Sequence, residues 1–275
     1  MKKFVIASLL ALTAVSSQAA VTVGDVLVGF TATGGVGADQ NVVVDLTQYL
    51  STSSTYANNN SIVNLNSVLS STFGNDWATR SDLKFGAAAA TGNSLSTPRV
   101  ILSSAELTAG VQSLQRAPLS KGTLGSGALK IETQPTTYSA LTAVSSNSFS
   151  AVYVAPTSIV NSWNANKDFT AGLSFAYFSP YIDTTANLTQ GGIASQLDGT
   201  SYAVLDLYKY VGTATTATNV ASLIGGLGLN ASGNLAFNTD IAQFAAIPEP
   251  STYAMILGAL TLGVVGLRRR FSKAV

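Results

Sequence analysis

The side chains that enzymes use most often as general base, nucleophile and transition-metal ligand are missing from this sequence. None of its 275 residues is His or Cys. His is the commonest general base and metal ligand, and Cys supplies thiolates and disulfides. Their absence excludes Ser-His-Asp hydrolysis, thiolate chemistry and His-based zinc sites. We therefore expect a protein that is not an enzyme, with no cofactor and no metal site.

Two short motifs nevertheless have the spacing of known sites. Ser81 and Lys84 fit Ser-x-x-Lys, but the Ser-Asp-Asn and Lys-Thr-Gly motifs that accompany such a nucleophile pair are missing. Residues 226–231 fit Gly-x-Gly-x-x-Ala, but a dinucleotide site needs a helix to begin there, and Ser-Gly-Asn at 232–234 breaks it. We interpret the first motif as a surface turn and the second as a hairpin loop.

Carboxylates are the remaining candidates for catalysis or metal binding. Glycosidases hold two of them at a fixed separation, but the twelve Asp and Glu residues between positions 20 and 247 are scattered, with no local pair. A carboxylate-based glycoside hydrolase is thus the least favoured hypothesis. Calcium binding is a weak alternative, because no Asp-x-Asx-x-Asx-Gly loop occurs. Its candidate ligands are Asp39, Asp45, Asp76, Asp183, Asp198 and Asp240.

Aromatic side chains offer a different chemistry, which is stacking on sugar rings. Alternation along residues 202–211 places Tyr208 and Tyr210 on one face of a strand, which we expect to be half-exposed. Together with Trp77 and Trp163, these two residues are the candidates for a carbohydrate-binding face. Trp77 and Phe85 are also expected to fill the core, the usual place of large aromatic residues.

The charge balance argues against nucleic acid as a partner. Eight of the fourteen Lys and Arg residues lie between positions 20 and 247, against twelve Asp and Glu, so this body carries a net charge of −4. Nucleic-acid binding relies on Lys and Arg at phosphates. We expect no nucleic-acid binding.

The elements that position these residues are predicted to be mainly strands. Runs of β-branched and aromatic residues between turn residues predict strands at 21–33, 41–46, 99–102, 130–133, 148–154, 173–178, 203–211 and 235–237. Such spacing favours a single mainly β domain over residues 20–247, built as an antiparallel sandwich or a barrel-like body.

One or two short helices should accompany the strands. Apolar residues recur at helical spacing in 62–73, with Ser61 as N-cap and Gly74 as stop. A capping-box pattern at 103–106 predicts a second helix that ends at Pro118. The Gly-rich residues 121–127 that follow are predicted to form a flexible link.

The N-terminal residues have the three parts of a secretory signal peptide. Lys2 and Lys3 precede an apolar run at 4–15, and Ser17 and Ala19 place small residues at the −3 and −1 positions. We expect residues 1–19 to be removed by signal peptidase after Ala19.

The C-terminal residues read as a processing motif, an apolar helix and a basic cluster. Pro248 and Pro250 hold the backbone around Glu249 extended, as a processing enzyme requires. Residues 251–267 carry no charge and span about 25 Å as a helix, so we predict a short transmembrane helix. The positive-inside rule places the following basic cluster in the cytoplasm. Its members are Arg268, Arg269, Arg270 and Lys273.

In this order, the three parts resemble the PEP-CTERM sorting signal of exopolysaccharide-producing Gram-negative bacteria. The resemblance covers residues 248–275. It implies that a membrane-embedded exosortase recognises Pro248, Glu249 and Pro250 and cleaves nearby. Segments at 24–35, 73–77, 205–208 and 233–237 also resemble the bodies of uncharacterised proteins that carry this signal.

These observations lead to one preferred function. We expect an exported, exosortase-sorted structural protein of the cell surface or of an exopolysaccharide biofilm matrix, held in the inner membrane as a precursor. Signal peptidase and exosortase are its expected processing partners, and exopolysaccharide is its expected surrounding. A carbohydrate-binding module is the alternative.

Overall fold

The structure, a computed structural model, describes most of the predicted body. The residues described are 21–46, 50–52, 56–91, 97–106, 110–113, 117–163 and 202–245. The signal peptide, the predicted strand at 173–178 and the segment 248–275 lie outside them.

Ten strands are found among the described residues, and all of them pair antiparallel in one sheet. In chain order they are β1 (Leu27–Ala32), β2 (Gln40–Asp45), β3 (Asn59–Asn64), β4 (Leu83–Thr91), β5 (Arg99–Ala105), β6 (Ser145–Ser146), β7 (Ala151–Pro156), β8 (Tyr202–Val211), β9 (Ser222–Asn230) and β10 (Asn234–Asn238). Across the sheet the order is β3-β10-β9-β8-β5-β4-β1-β2-β7-β6.

The sheet curls into a half-barrel. At one end its two sides meet, because Nδ2 of Asn147, in the turn between β6 and β7, donates to the carbonyl oxygen of Ile62 on β3 at 2.8 Å. The prediction of a mainly β, antiparallel, barrel-like body is confirmed. The alternative of a two-sheet sandwich is not formed, since the described strands belong to a single sheet.

The inner, concave face of the sheet carries the larger core. One contiguous cluster includes Val63 on β3 and Val152 on β7, which lie toward opposite edges of the sheet. The first helix, α1 (Asn66–Phe73), buries Leu69 and Phe73 in the same cluster. Trp77 and Phe85 are buried there too, as predicted. Each such side chain contributes roughly 1.5–3 kcal/mol by leaving water.

The outer face is covered by the second helix, α2 (Lys121–Ser139), which packs above β4 and β5. Leu124, Ala128, Ile131 and Tyr138 of this helix are buried against apolar residues of the sheet. The helix begins cleanly, because Oγ of Ser120 accepts a hydrogen bond from the Thr123 amide at 3.1 Å.

Helix α2 corrects two predictions, the flexible link at 121–127 and the strand at 130–133. Gly122, Gly125, Gly127 and Pro135 all lower helix propensity, which is why the sequence pattern indicated other structure. Tertiary packing overrides propensity here, since the helix buries an apolar stripe that recurs every three to four residues.

The predicted helix start at 103–106 is also wrong. Residues 103–105 belong to β5, and Oγ of Ser103 accepts a hydrogen bond from the Ala87 amide at 2.8 Å across the sheet. Helix α1 begins later than predicted, with Leu65 rather than Ser61 at the N-cap, and it ends at Gly74 as predicted. The other predicted strands that fall on described residues are confirmed, with shifted ends.

Within the described ranges no helix combines the length and the apolar character needed to cross a membrane. The predicted transmembrane helix at 251–267 is outside those ranges.

Candidate functional site

The outer face of β8 is covered by residues 110–113 and 117–119, which we call the covering segment. The Tyr208 hydroxyl donates to the Ser113 carbonyl oxygen at 2.9 Å, and the Tyr210 hydroxyl donates to the Ala117 carbonyl oxygen at 2.9 Å. Nε2 of Gln112 also lies 3.1 Å from the Tyr208 hydroxyl. The half-exposed aromatic face predicted for this strand is therefore wrong, because both rings are fully buried.

Two buried carboxyl groups lie beneath the same segment. Ser104 is paired with Asp206 in the β5–β8 ladder, and the Glu106 amide continues that ladder by donating to the Val204 carbonyl oxygen at 3.0 Å. This register places Glu106 and Asp206 on one face as near neighbours. Their carboxyl groups lie close enough together for each to shift the pKa of the other.

The covering segment supplies donors to both carboxyl groups. Oδ2 of Asp206 accepts from the Ser113 amide at 2.6 Å and from the Ser113 hydroxyl at 2.8 Å. Oε2 of Glu106 accepts from the Gly110 amide at 2.6 Å. The pair therefore fixes residues 110–113 against the sheet.

Burial governs the protonation of this pair. The pKa of Glu106 is raised to about 9, first by burial and then by the hydrogen bond to Asp206 and the negative charge of Asp206. Burial also raises the pKa of Asp206, while its hydrogen bonds from Glu106 and Ser113 oppose that shift. We infer that Glu106 holds a proton at neutral pH and shares it with Asp206.

The geometry of the pair does not match that of a glycosidase. Those enzymes separate their carboxyl groups by about 5–9.5 Å to admit the sugar, whereas Glu106 and Asp206 are neighbours that are both fully buried. The pair can store a proton and position a loop, but its burial keeps a glycosidic bond away from it.

A groove opens on the same outer face, at the end of β8 where Tyr202 lies. It has a volume of about 370 Å³. Its lining combines two aromatic rings with three side-chain amides: Asn60, Tyr202, Ala236, Asn238, Gln243, Phe244 and Ala245. The rings of Tyr202 and Phe244 pack at 5.2 Å between centroids and 60° between planes. Phe244 is supplied by the 3₁₀ turn Ile241–Phe244, whose N-cap is Asp240.

Glycines of β9 make this groove possible. A Cβ atom at Gly228 would lie 2.5 Å from Cε1 of Phe244 and 2.9 Å from Cδ1 of Tyr202. Only a residue without a side chain lets both rings lie on this strand. Gly226 and Gly228 are the glycines of the dinucleotide-like motif, and they lie in an antiparallel strand that turns directly into β10. The prediction that no dinucleotide site exists there is consistent with this, although most of the motif is strand rather than loop.

The groove and the carboxyl pair are physically continuous. Gly110 has φ of 78°, and a Cβ atom there would lie 2.6 Å from the backbone nitrogen of Ala245, a residue of the groove lining. The Gly110 amide is the donor to Glu106. A single close contact therefore links the proton-sharing pair to the wall of the groove.

The four aromatic residues predicted to stack on sugars are not brought to a surface. Trp77, Trp163, Tyr208 and Tyr210 are each at most 1% exposed. Nε1 of Trp77 donates to Asn66 of α1 at 3.1 Å. The backbone amide of Trp163 donates to the Tyr138 hydroxyl at 2.7 Å. All four serve packing in this structure, which corrects their proposed role in sugar stacking.

The other predicted residues are dispersed. Ser81 lies in an exposed turn before Lys84 on β4, as interpreted from the sequence. Among the candidate calcium ligands, Asp39, Asp76 and Asp240 are exposed and Asp45 is buried. No group of three or more acidic residues able to hold a metal occurs in the described part of the chain.

Several of the predicted site residues fall on positions that the structure does not describe. These are Asp183, Asp198, the cleavage site at Ala19, the motif at Pro248, Glu249 and Pro250, and the basic cluster at Arg268, Arg269, Arg270 and Lys273.

Sequence reasoning missed both parts of this site. The groove draws on three strands and a turn that are distant in sequence, so no local motif marks it. Glu106 was interpreted as a capping residue. Its place directly after a strand, and the single Asp206 among the apolar and aromatic residues of β8, were the available signals.

Comparison with known proteins adds no relative: no protein-family model, no curated protein and no solved structure matches the chain.

Proposed function

We propose that the protein is an exported, exosortase-sorted structural protein of the cell surface or of an exopolysaccharide matrix, without catalytic activity. The observation that carries the proposal is the order of parts at 248–275, with Pro-Glu-Pro, an uncharged stretch and a basic cluster in sequence. The signal-peptide pattern at 1–19 supports export independently.

The body supports a structural role. Its described part is a curled sheet with apolar clusters on both faces. The sequence offers neither His nor Cys for catalysis, and the carboxyl pair of Glu106 and Asp206 is buried away from solvent. A second candidate function, carbohydrate binding, is favoured by the groove beside Tyr202 rather than by the four buried aromatic residues.

The sorting proposal is tested by replacing Pro248, Glu249 and Pro250 together with Ala in the full chain. Intact mass would be measured for protein from the medium, the cell surface and the membrane. We expect the unaltered protein to lack residues 1–19 and part of 248–275, and the variant to stay in the membrane fraction with its C-terminal residues intact.

Thr252→Ala is the matched control, because it changes a neighbouring residue outside the motif. It should be processed like the unaltered protein. Identical masses and identical distribution for the triple variant and the unaltered protein would show that the motif is not a processing signal.

A further inference from the structure

The groove has the two kinds of surface that a sugar ring requires. A pyranose has an apolar face of C–H groups and a rim of hydroxyl groups, and it is bound best by an aromatic ring flanked by groups that both donate and accept hydrogen bonds. Tyr202 and Phe244 supply rings, and Asn60, Asn238 and Gln243 supply amides. The volume of about 370 Å³ lies within the range of small-molecule sites.

The lining is also electrically neutral. No Lys, Arg, Asp or Glu contributes to it. Asp240, the N-cap of the turn that supplies Gln243 and Phe244, is engaged by the Ala242 amide at 3.2 Å and by Nε2 of Gln243 at 3.2 Å. A charged ligand would find no counter-ion here, so the lining favours a neutral polar one.

The side-chain amide of Asn238 offers a hydrogen-bond donor to a ligand in the groove. Its side chain is 6% exposed, and its Oδ1 accepts from the Asp240 amide at 3.0 Å. No hydrogen bond donated by its Nδ2 to a described residue is found. An amide donor that lines a cavity and donates to none of the described residues is suited to bind a ligand oxygen.

We propose that this groove binds a neutral sugar unit of a polysaccharide, with Tyr202 against the ring and the three amides at its hydroxyl groups. The inference rests on the proposed function in one respect, because export would bring the body into contact with such polymers. It places the contact between the protein and the polysaccharide matrix at one site, which is lined by residues of β3, β8 and β10.

The test is affinity electrophoresis of the full-length chain in mild detergent, through native gels that contain a neutral glucan, mannan or galactan, or the acidic polymer alginate. We expect at least one neutral polymer to retard the protein and alginate to leave it unretarded. Retardation by none of the three neutral polymers, or by alginate alone, would overturn the proposal.

Variants then locate the binding. Tyr202→Ala should weaken affinity for the retarding polymer about tenfold or more. Asn60→Ala and Gln243→Ala, both at exposed positions, should each weaken it about three- to tenfold. Gly228→Val should abolish binding by displacing both rings.

Controls keep a folding defect apart from a binding defect. Phe149→Ala removes an aromatic side chain that is 41% exposed and outside the groove lining, and it should bind normally. If Gly228→Val fails to fold, the Asn60 and Gln243 variants still decide the question, provided that their thermal midpoints are unchanged. Undiminished binding by Tyr202→Ala would contradict the assignment. Because this assay needs no processing, its failure is distinguishable from failure of the sorting proposal.

Discussion

The two faces of β8 are held by different interactions, apolar contacts on the inner face and hydrogen bonds on the outer face. Its inner face presents Ala203, Leu205 and Leu207 to an apolar core, where contact is non-directional and scales with buried area. Its outer face presents Asp206, Tyr208 and Tyr210, whose polar atoms bond to named atoms of the covering segment. The six residues named here are all buried, so burial alone does not distinguish the two faces.

This difference gives the two faces different roles: the inner face stabilises the fold, and the outer face positions the segments that pack on it. The inner face tolerates small shifts of its neighbours at modest cost, because apolar contacts have no fixed direction. The outer face tolerates few, because a misplaced donor leaves a buried polar group unsatisfied. We therefore assign the bulk of the folding free energy to the inner face, and the placement of the covering segment and the groove wall to the outer face.

The largest effect should come from the inner face. Leu207→Ala leaves a cavity in the apolar core and should lower the free energy of unfolding by about 2–5 kcal/mol, equally at pH 5 and pH 9. Urea denaturation at the two pH values checks this. Val211→Ala, on the same strand but 41% exposed, is the control and should change stability by less than about 0.5 kcal/mol. A strong pH dependence of the Leu207 effect would break the comparison.

A pH-dependent effect should come from Glu106. The folded chain keeps the Glu106 proton up to a pKa of about 9, whereas an unfolded Glu loses it near about 4.3. The folded state thus binds more protons in this window, and its stability should fall as pH rises from about 5 to 9. The chain has no His or Cys, so these side chains do not add to the pH dependence of stability between pH 5 and pH 9.

Glu106→Gln should flatten that slope and lower stability at pH 5 by about 1–3 kcal/mol, since the shared proton and one acceptor oxygen are lost. Denaturant curves measured at each pH give both quantities. Glu132→Gln, on α2 and apart from the pair, should keep the slope of the unaltered protein. An unchanged slope in Glu106→Gln would mean that the pair does not control the pH dependence.

The smallest effect should come from one hydroxyl of the outer face. Tyr208→Phe keeps the buried ring but removes the donor to the Ser113 carbonyl oxygen, which should cost about 1 kcal/mol. Amide hydrogen exchange should show faster exchange at Ser113 than in the unaltered protein. Tyr202→Phe is the control, because no hydrogen bond is found for the Tyr202 hydroxyl among the described residues. Equal protection of Ser113 in both variants would argue against a positioning role.

Six of the ten described strands were predicted from the sequence, whereas β3, β4, β6 and β9 and the cover of the sheet were not. Period-two alternation located β8 almost to the residue, because the sheet geometry itself imposes that period. Exposure of its tyrosines was predicted wrongly, because it depends on a segment that lies about ninety positions away in sequence. Helix α2 was missed although its buried positions recur with helical spacing, since three glycines and Pro135 outweighed that pattern.

The site was predictable only in its chemical class. The absence of His and Cys directed attention to carboxylates and aromatic residues, and both kinds of residue occur at the candidate site. Which of them meet is decided by the pairing register, Ser104 with Asp206, and by the space that Gly228 leaves for Phe244. Neither relation is encoded in local sequence spacing.

The insertion of β10 between β3 and β9 also constrains the timing of folding. Asn64 and Asn234 bond across the β3–β10 ladder at a separation of 170 positions, so their meeting requires closure of a very long loop. A chain that emerges from its N-terminus keeps the edges of β3 and β9 unpaired until residue 238 has appeared, and unpaired edges invite aggregation. Since Pro248 follows only ten positions later, completion of the sheet and arrival of the proposed sorting motif would be nearly simultaneous.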